Sequence, residues 1–271
     1  MNIFKFEFKR NLKTMFIWTL VCILFVVMFV ALFPSMKDSG MSELMSTKLD
    51  AMPKEILDAF NLSGGVDFAN ISSYMAYCLQ YIVMAAGIYG AILGTSALIK
   101  EETEGTIEFL YSKPVKRREI VIAKFLSSAL LISIFVFLVG LSTMLLSMFV
   151  IPDNVKVMDY FMDLKIMYLG MEILGVVFLS VGFFISTVIK SSKGAITIGI
   201  GIFFATYIIG SVSKMKENLK WLNYFSPIEY VQPSILIQDG FDIKKIILAA
   251  FIIIVSMIGT FIIYEKKDMR I

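Results

Sequence analysis

Apolar residues run along this chain in six long blocks, and charged residues gather in the stretches between them. The blocks run from about Thr14 to Phe33, Tyr74 to Ile99, Ile120 to Val150, Ile166 to Ile189, Gly194 to Val212 and Ile246 to Tyr264. A helix rises about 1.5 Å per residue, so about 20 apolar residues cross a hydrocarbon layer of about 30 Å. A soluble domain of this length would instead need amphipathic alternation to make a wet surface, and the blocks lack it. The pattern predicts an all-α membrane protein with six transmembrane helices. The third block, 120–150, would be about 46 Å long as a helix, so it should tilt or project into water.

Composition agrees. The chain of 271 residues is 58% hydrophobic and 17% charged, with mean hydropathy +0.81. Soluble domains are usually about 45–50% apolar and about 25% charged. The first block is longer than the usual ~7–15-residue core of a cleaved signal and no small-residue cleavage site follows, so it reads as a retained span. The net charge of +3 gives little support to a nucleic-acid partner. The chain has no histidine, which removes the commonest general base and metal ligand. Cys22 and Cys78 lie in or beside apolar blocks and read as lipid- or core-facing thiols rather than a disulfide or metal site.

Placing the N-terminus inside puts 14 Lys and Arg in the short inner segments 1–13, 100–119, 190–193 and 265–271. The longer outer segments 34–73, 151–165 and 213–245 hold 10. This density predicts both termini in the cytoplasm. Lys214, Lys216 and Lys220 run against the trend, and Lys124 falls inside the third block near its inner end. In the first outer loop, Pro53 and Gly64–Gly65 bracket PKEILDAFNLSGG with a helix start and stop signal. A short outer helix is expected there, with Ile56, Leu57 and Phe60 on one face. No loop is long enough for an independent catalytic domain.

The inner segment KEETEGTIEFLYSKPVKRREIVIAK, from Lys100 to Lys124, is strongly charged yet carries Ile107, Phe109 and Leu110. Glutamates come first and lysines and arginines later, which complements a helix dipole. Pro114 then breaks the helix before the third span. An ordinary positive-inside loop would not need four glutamates, so the segment reads as a docking surface.

Here the chain resembles the ABC-2 type permeases of bacterial ABC exporters. The shared pattern is met by Glu101, Glu102, Gly105, Thr106, Glu108, Leu110, Ser112, Pro114, Val115, Arg117, Glu119, Ile120 and Lys124. FKFEFKRNLK before the first span, PKEILDAFNLSGG, YFSPIEYVQP and the tail EKKDMRI are also similar to the family. The resemblance implies one permease domain over 1–271 in a bacterial plasma membrane. It implies an interfacial elbow helix over 1–13, and Phe4, Phe8, Leu12 and Met15 do share a helical stripe opposite Lys9 and Lys13. It also implies a cytoplasmic coupling helix within 100–118. Glu101, Glu102, Gly105, Thr106, Glu108, Leu110, Pro114, Val115, Arg117 and Arg118 would then contact an ATPase. The implied partners are two copies of a cytoplasmic ABC ATPase and a second permease chain, with ATP and magnesium held by the ATPase.

No catalytic constellation is visible. The phosphate-loop pattern G-x-x-x-x-G-K-[ST] is absent, so ATP hydrolysis would belong to another subunit. Glu172 is the acidic residue placed inside a span, where an ionised group costs about 2.5–3.5 kcal/mol on insertion scales. It would line a translocation path or bind a cationic part of a substrate; alternatively, it reaches the outer interface about two turns away, or pairs with a neighbour. Gly87, Gly90 and Gly94, and Gly194, Gly199, Gly201 and Gly210, predict close helix packing within the bundle or between copies. Trp221, Tyr224, Phe225 and Tyr230 suit an outer interface or a short re-entrant helix. An ion-coupled secondary transporter would show several intramembrane charges and internal symmetry. A non-transporting sensor or anchor subunit could share the same fold.

Overall fold

The computed structural model describes residues 3–37, 47–48, 52–53, 57, 67–104, 116–189 and 191–267, with side chains described except at 102–104 and 192–193. Among these residues the regular elements are all helical. The long helices are α1 (Ile3–Lys37), α2 (Ile71–Ala97), α4 (Arg117–Ser147), α5 (Val157–Val188), α6 (Ser192–Met215) and α8 (Ile243–Lys266). All six are long and apolar enough to cross a membrane. Short α3 (Ile99–Glu104) follows α2. Two 3-10 turns, Glu217–Phe225 and Pro227–Tyr230, and short α7 (Pro233–Asp239) join α6 to α8.

Local chemistry sets several boundaries. The Asn70 side chain accepts from the amides of Ser72 and Ser73 and starts α2, and Asp242 accepts from the Lys244 amide and starts α8. Pro233 opens α7, and Gly240, at φ +73°, ends it.

Within the sequence-predicted elbow, residues 3–13 are the first turns of one unbroken 35-residue helix, Ile3–Lys37. No proline or glycine interrupts the chain before Pro34, and Glu7 and Arg10 are held in line by contacts described below. The fourth span is also longer than its apolar block, starting at Val157. Asp159, Asp163 and Lys165 disguised this extension, but Tyr160 and Leu164 between them are buried. The Asp163 carboxylate accepts a hydrogen bond from Ser72 at 2.6 Å.

The core lies where α2 and α5 meet; 61% of the apolar stretch of each is buried, against 11% for α8. Their backbones touch through glycine. A Cβ on Gly94 would sit 2.8 Å from the Gly182 Cα, and one on Gly90 would strike the Gly175 carbonyl. α1 packs on α4, α6 on α2, and α8 on α5. Gly87 faces Phe203, Gly199 faces Thr95 and Gly210 faces Ser226, so these glycines serve packing within the chain. Gly194 and Gly201 face open space. Cys22 and Cys78 are buried core thiols.

The linker from α6 to α8 folds back onto the bundle. Val231 and Leu236 bury against Gly170 of α5, while Trp221, Tyr224 and Phe225 stay exposed and Tyr230 is buried. Lys214 meets the buried Glu229 carboxylate at 2.6 Å. Two of the lysines that ran against the charge trend thus have local acidic partners, Lys214 with Glu229 and Lys220 with Glu217. Of the sequence-predicted outer helix, residues 54–56 and 58–65 lie outside the described residues.

Candidate functional site

Both described chain ends lie at the same end of the bundle, here called the terminal end. Three backbone segments converge there. α2 finishes at Ala97, and the chain bends into α3. The amides of Leu98 and Ile99, released by the bend, donate to Ser186 Oγ of α5 at 2.9 and 3.1 Å. A serine at that position satisfies two amides that the helix no longer serves.

Beside this bend sits a buried ionic quartet. Lys124, in the second turn of α4, is 1% exposed. Its Nζ donates to Glu7 Oε1 at 2.8 Å, to Glu101 Oε1 at 2.5 Å and to the Ala97 carbonyl at 2.8 Å. An ammonium has three protons, and all three have acceptors here. Arg10 donates to Glu7 Oε2 at 2.7 Å and to Glu101 Oε1 at 3.2 Å. Two acids and two bases therefore join α1, α3 and α4 with no net charge. Burial is tolerable for such groups only when they are paired and hydrogen-bonded. Burial pushes the Glu101 carboxyl up, but the Lys124 ammonium and the Arg10 guanidinium outweigh it and hold the group below the usual carboxylate range.

Arg117 and Arg118 also serve the terminal end. The Arg117 guanidinium donates to the carbonyls of Tyr264, Glu265 and Lys267 at 3.1, 3.0 and 2.7 Å. It satisfies the carbonyls that the last turn of α8 leaves open. Arg118 pairs with Glu265 at 3.0 Å in an exposed position.

Of the sequence-predicted coupling residues, the structure therefore places Glu101 in the quartet and Arg117 and Arg118 against the end of α8, all at the terminal end. Glu102 lies on α3. Gly105, Thr106, Glu108, Leu110, Pro114 and Val115 lie outside the described residues. Sequence reasoning missed Glu7 and Arg10, and passed over Lys124 as a residue near a block end. The available signal was a lysine inside an apolar span, which demands an acidic partner.

Glu172 stands elsewhere. It lies fifteen residues past the start of α5 at Val157, about four turns, and sixteen before the end at Val188. The helix extends beyond the apolar block, so Glu172 is near its middle rather than two turns from an end. Its carboxylate accepts from Ser133 Oγ of α4 at 2.7 Å, and among the described residues it has no ion-pair partner. The pair lines one end of a groove between α4 and α5 with a volume of about 370 Å³. Thr143 and Tyr168, with hydroxyls 2.5 Å apart, and Tyr160, donating to Ser147 at 2.7 Å, hold the two helices together beyond it. Among the described residues, no group of His, Cys, Asp or Glu side chains is arranged to hold a metal ion.

The family described as ABC-2 family transporter protein matches residues 1–269. The chain is also similar to the probable ABC transporter permease protein NosY of Stutzerimonas stutzeri, at 21% identity over 185 residues. That match covers 68% of this chain and 66% of the relative, slightly under two thirds of the relative's length.

Proposed function

The chain belongs to the ABC-2 transporter family, and from that premise we propose that it is an exporter's permease subunit driven by ATP hydrolysed on a separate polypeptide. The terminal end would be cytoplasmic. A pair of permease chains would carry two ABC ATPases there, with ATP and magnesium held by the ATPases. The ATPases would dock on the segment 100–118, through Glu102, Gly105, Thr106, Glu108 and Leu110, with Pro114 and Val115 forming the turn back into α4.

The observation that carries this reading is the buried quartet. A displacement of α3 pulls on Glu101, and Glu101 is bonded to Lys124 of α4 and Arg10 of α1. Movement imposed by a docked ATPase is thus handed to two spans at once, through contacts too costly to break singly. The Ser186 hydrogen bonds at the bend add α5 as a third receiver. Arg117 brings in α8 by holding the carbonyls at its end.

Co-expression with the ATP-binding proteins of the same cell, followed by gentle solubilisation and an ATPase assay, tests the reading. A stable ATPase partner is expected, lost when residues 101–113 become a neutral linker. Absence of any bound ATPase would overturn it. Replacing Glu102 and Gly105 together with bulky apolar residues should leave insertion intact and uncouple ATP hydrolysis from transport. Unchanged transport would remove the coupling role.

A further inference from the structure

The groove between α4 and α5 is lined mostly by apolar side chains, with the Glu172 carboxylate at one end and Lys165 further along it. Its floor is opened by Gly140, where a Cβ would come within 3.3 Å of the Tyr168 ring. Phe137, 65% exposed, forms part of the wall. Lys165 lies on the same stripe of α5 as Glu172, seven residues or about 10 Å nearer the opposite end of the bundle. The groove opens on the surface of the helix pair, which in a six-span protein faces bilayer or a neighbouring chain. Its volume is in the range of small-molecule sites, which are mostly apolar with a few placed polar groups.

An acidic group at mid-span is costly, and a serine hydroxyl offers no counter-charge. A cation that enters from the apolar side supplies one. We propose that this groove binds a lipophilic cation, its apolar body along Phe137, Gly140 and Tyr168 and its positive centre against Glu172. The inference rests on the permease reading only in taking that ligand as cargo; the binding itself belongs to this chain alone.

The probe is tetraphenylphosphonium, a permanent hydrophobic cation, with tetraphenylborate as an anion of nearly the same size and shape. Binding is measured by equilibrium dialysis on the full chain in lipid nanodiscs, against protein-free nanodiscs. Saturable binding of the cation is expected, weakened at least tenfold by Glu172→Gln, with no saturable binding of the anion. Equal binding of the cation by wild type and Glu172→Gln, or equal binding of the anion, would overturn the proposal. Phe137→Lys provides a second check that leaves Glu172 in place. It adds a cation to an exposed wall, and should weaken tetraphenylphosphonium binding several-fold; no change would count against the site. Co-purification of an ATPase with Glu172→Gln should match wild type. Failure of this inference and failure of the permease reading are thus read in separate assays.

Discussion

Two glutamates in this bundle meet opposite surroundings. Glu101, at the terminal end, is buried and touches both an ammonium and a guanidinium. Glu172, near the middle of α5, touches one hydroxyl and borders an open groove. The first has its charge matched by the chain itself, through partners on two segments far apart in sequence. The second has its negative charge uncompensated by the described residues. A charge that is already matched holds structure together; a charge left unmatched beside a cavity is available to a ligand. The fold thus places its matched and its unmatched acid about half a span apart.

Replacement within the quartet, which joins α1, α3 and α4, should have the largest effect. Lys124→Met leaves Glu7 and Glu101 with Arg10 alone, and removing one partner of a buried pair costs about 3–5 kcal/mol. A marked fall in thermal unfolding temperature in detergent is expected. Glu172→Gln should leave that temperature unchanged or raise it. Equal destabilisation by the two variants would erase the contrast.

Acid should sharpen it. Glu101 is held below the usual carboxylate range, so its contribution is present above the ordinary value of about 4.3. That contribution is lost only as pH falls through the depressed folded value. Unfolding followed against pH should show a stability loss on the acid side that Glu101→Gln lacks. An identical acid profile for both proteins would remove Glu101 from the joint.

The smallest effect is expected at the rim. Arg118 and Glu265 form an exposed pair, with side chains 66% and 48% exposed. Exposed pairs contribute about 0–1 kcal/mol. Arg118→Ala should scarcely move the unfolding temperature, and any effect on ATPase docking would then come from the surface itself. A loss comparable to Lys124→Met would mean that the rim belongs to the joint.

The number of spans was plain from hydropathy, because about 20 apolar residues in a row have few other uses. The family was legible in the spacing of Glu101, Glu102, Gly105 and Pro114. The unbroken α1 was not. The stripe of Phe4, Phe8, Leu12 and Met15 suits a helix lying on a surface as well as one that continues inward, and only the partners of Glu7 and Arg10 decide between them. The true start of α5 was masked by Asp159, Asp163 and Lys165, which look like loop residues until Tyr160 and Leu164 are seen to be buried. The quartet escaped because its members are separated by 91 and 117 positions, and a single sequence carries no record of which distant charges meet. Glu172 was visible as an isolated acid in a span, whereas its groove needed the opposing face of α4.

The glycine seam between α2 and α5 has a mechanical consequence. Where two helices touch backbone to backbone, no long side chains lie between them to change rotamer and let them slide. α2 and α5 therefore behave as a single keel. α1, α6 and α8, which expose most of their surface, are the planks free to swing against it. Any movement between spans would then fall outside the seam of Gly90, Gly94, Gly175 and Gly182, where α1, α6 and α8 meet the keel.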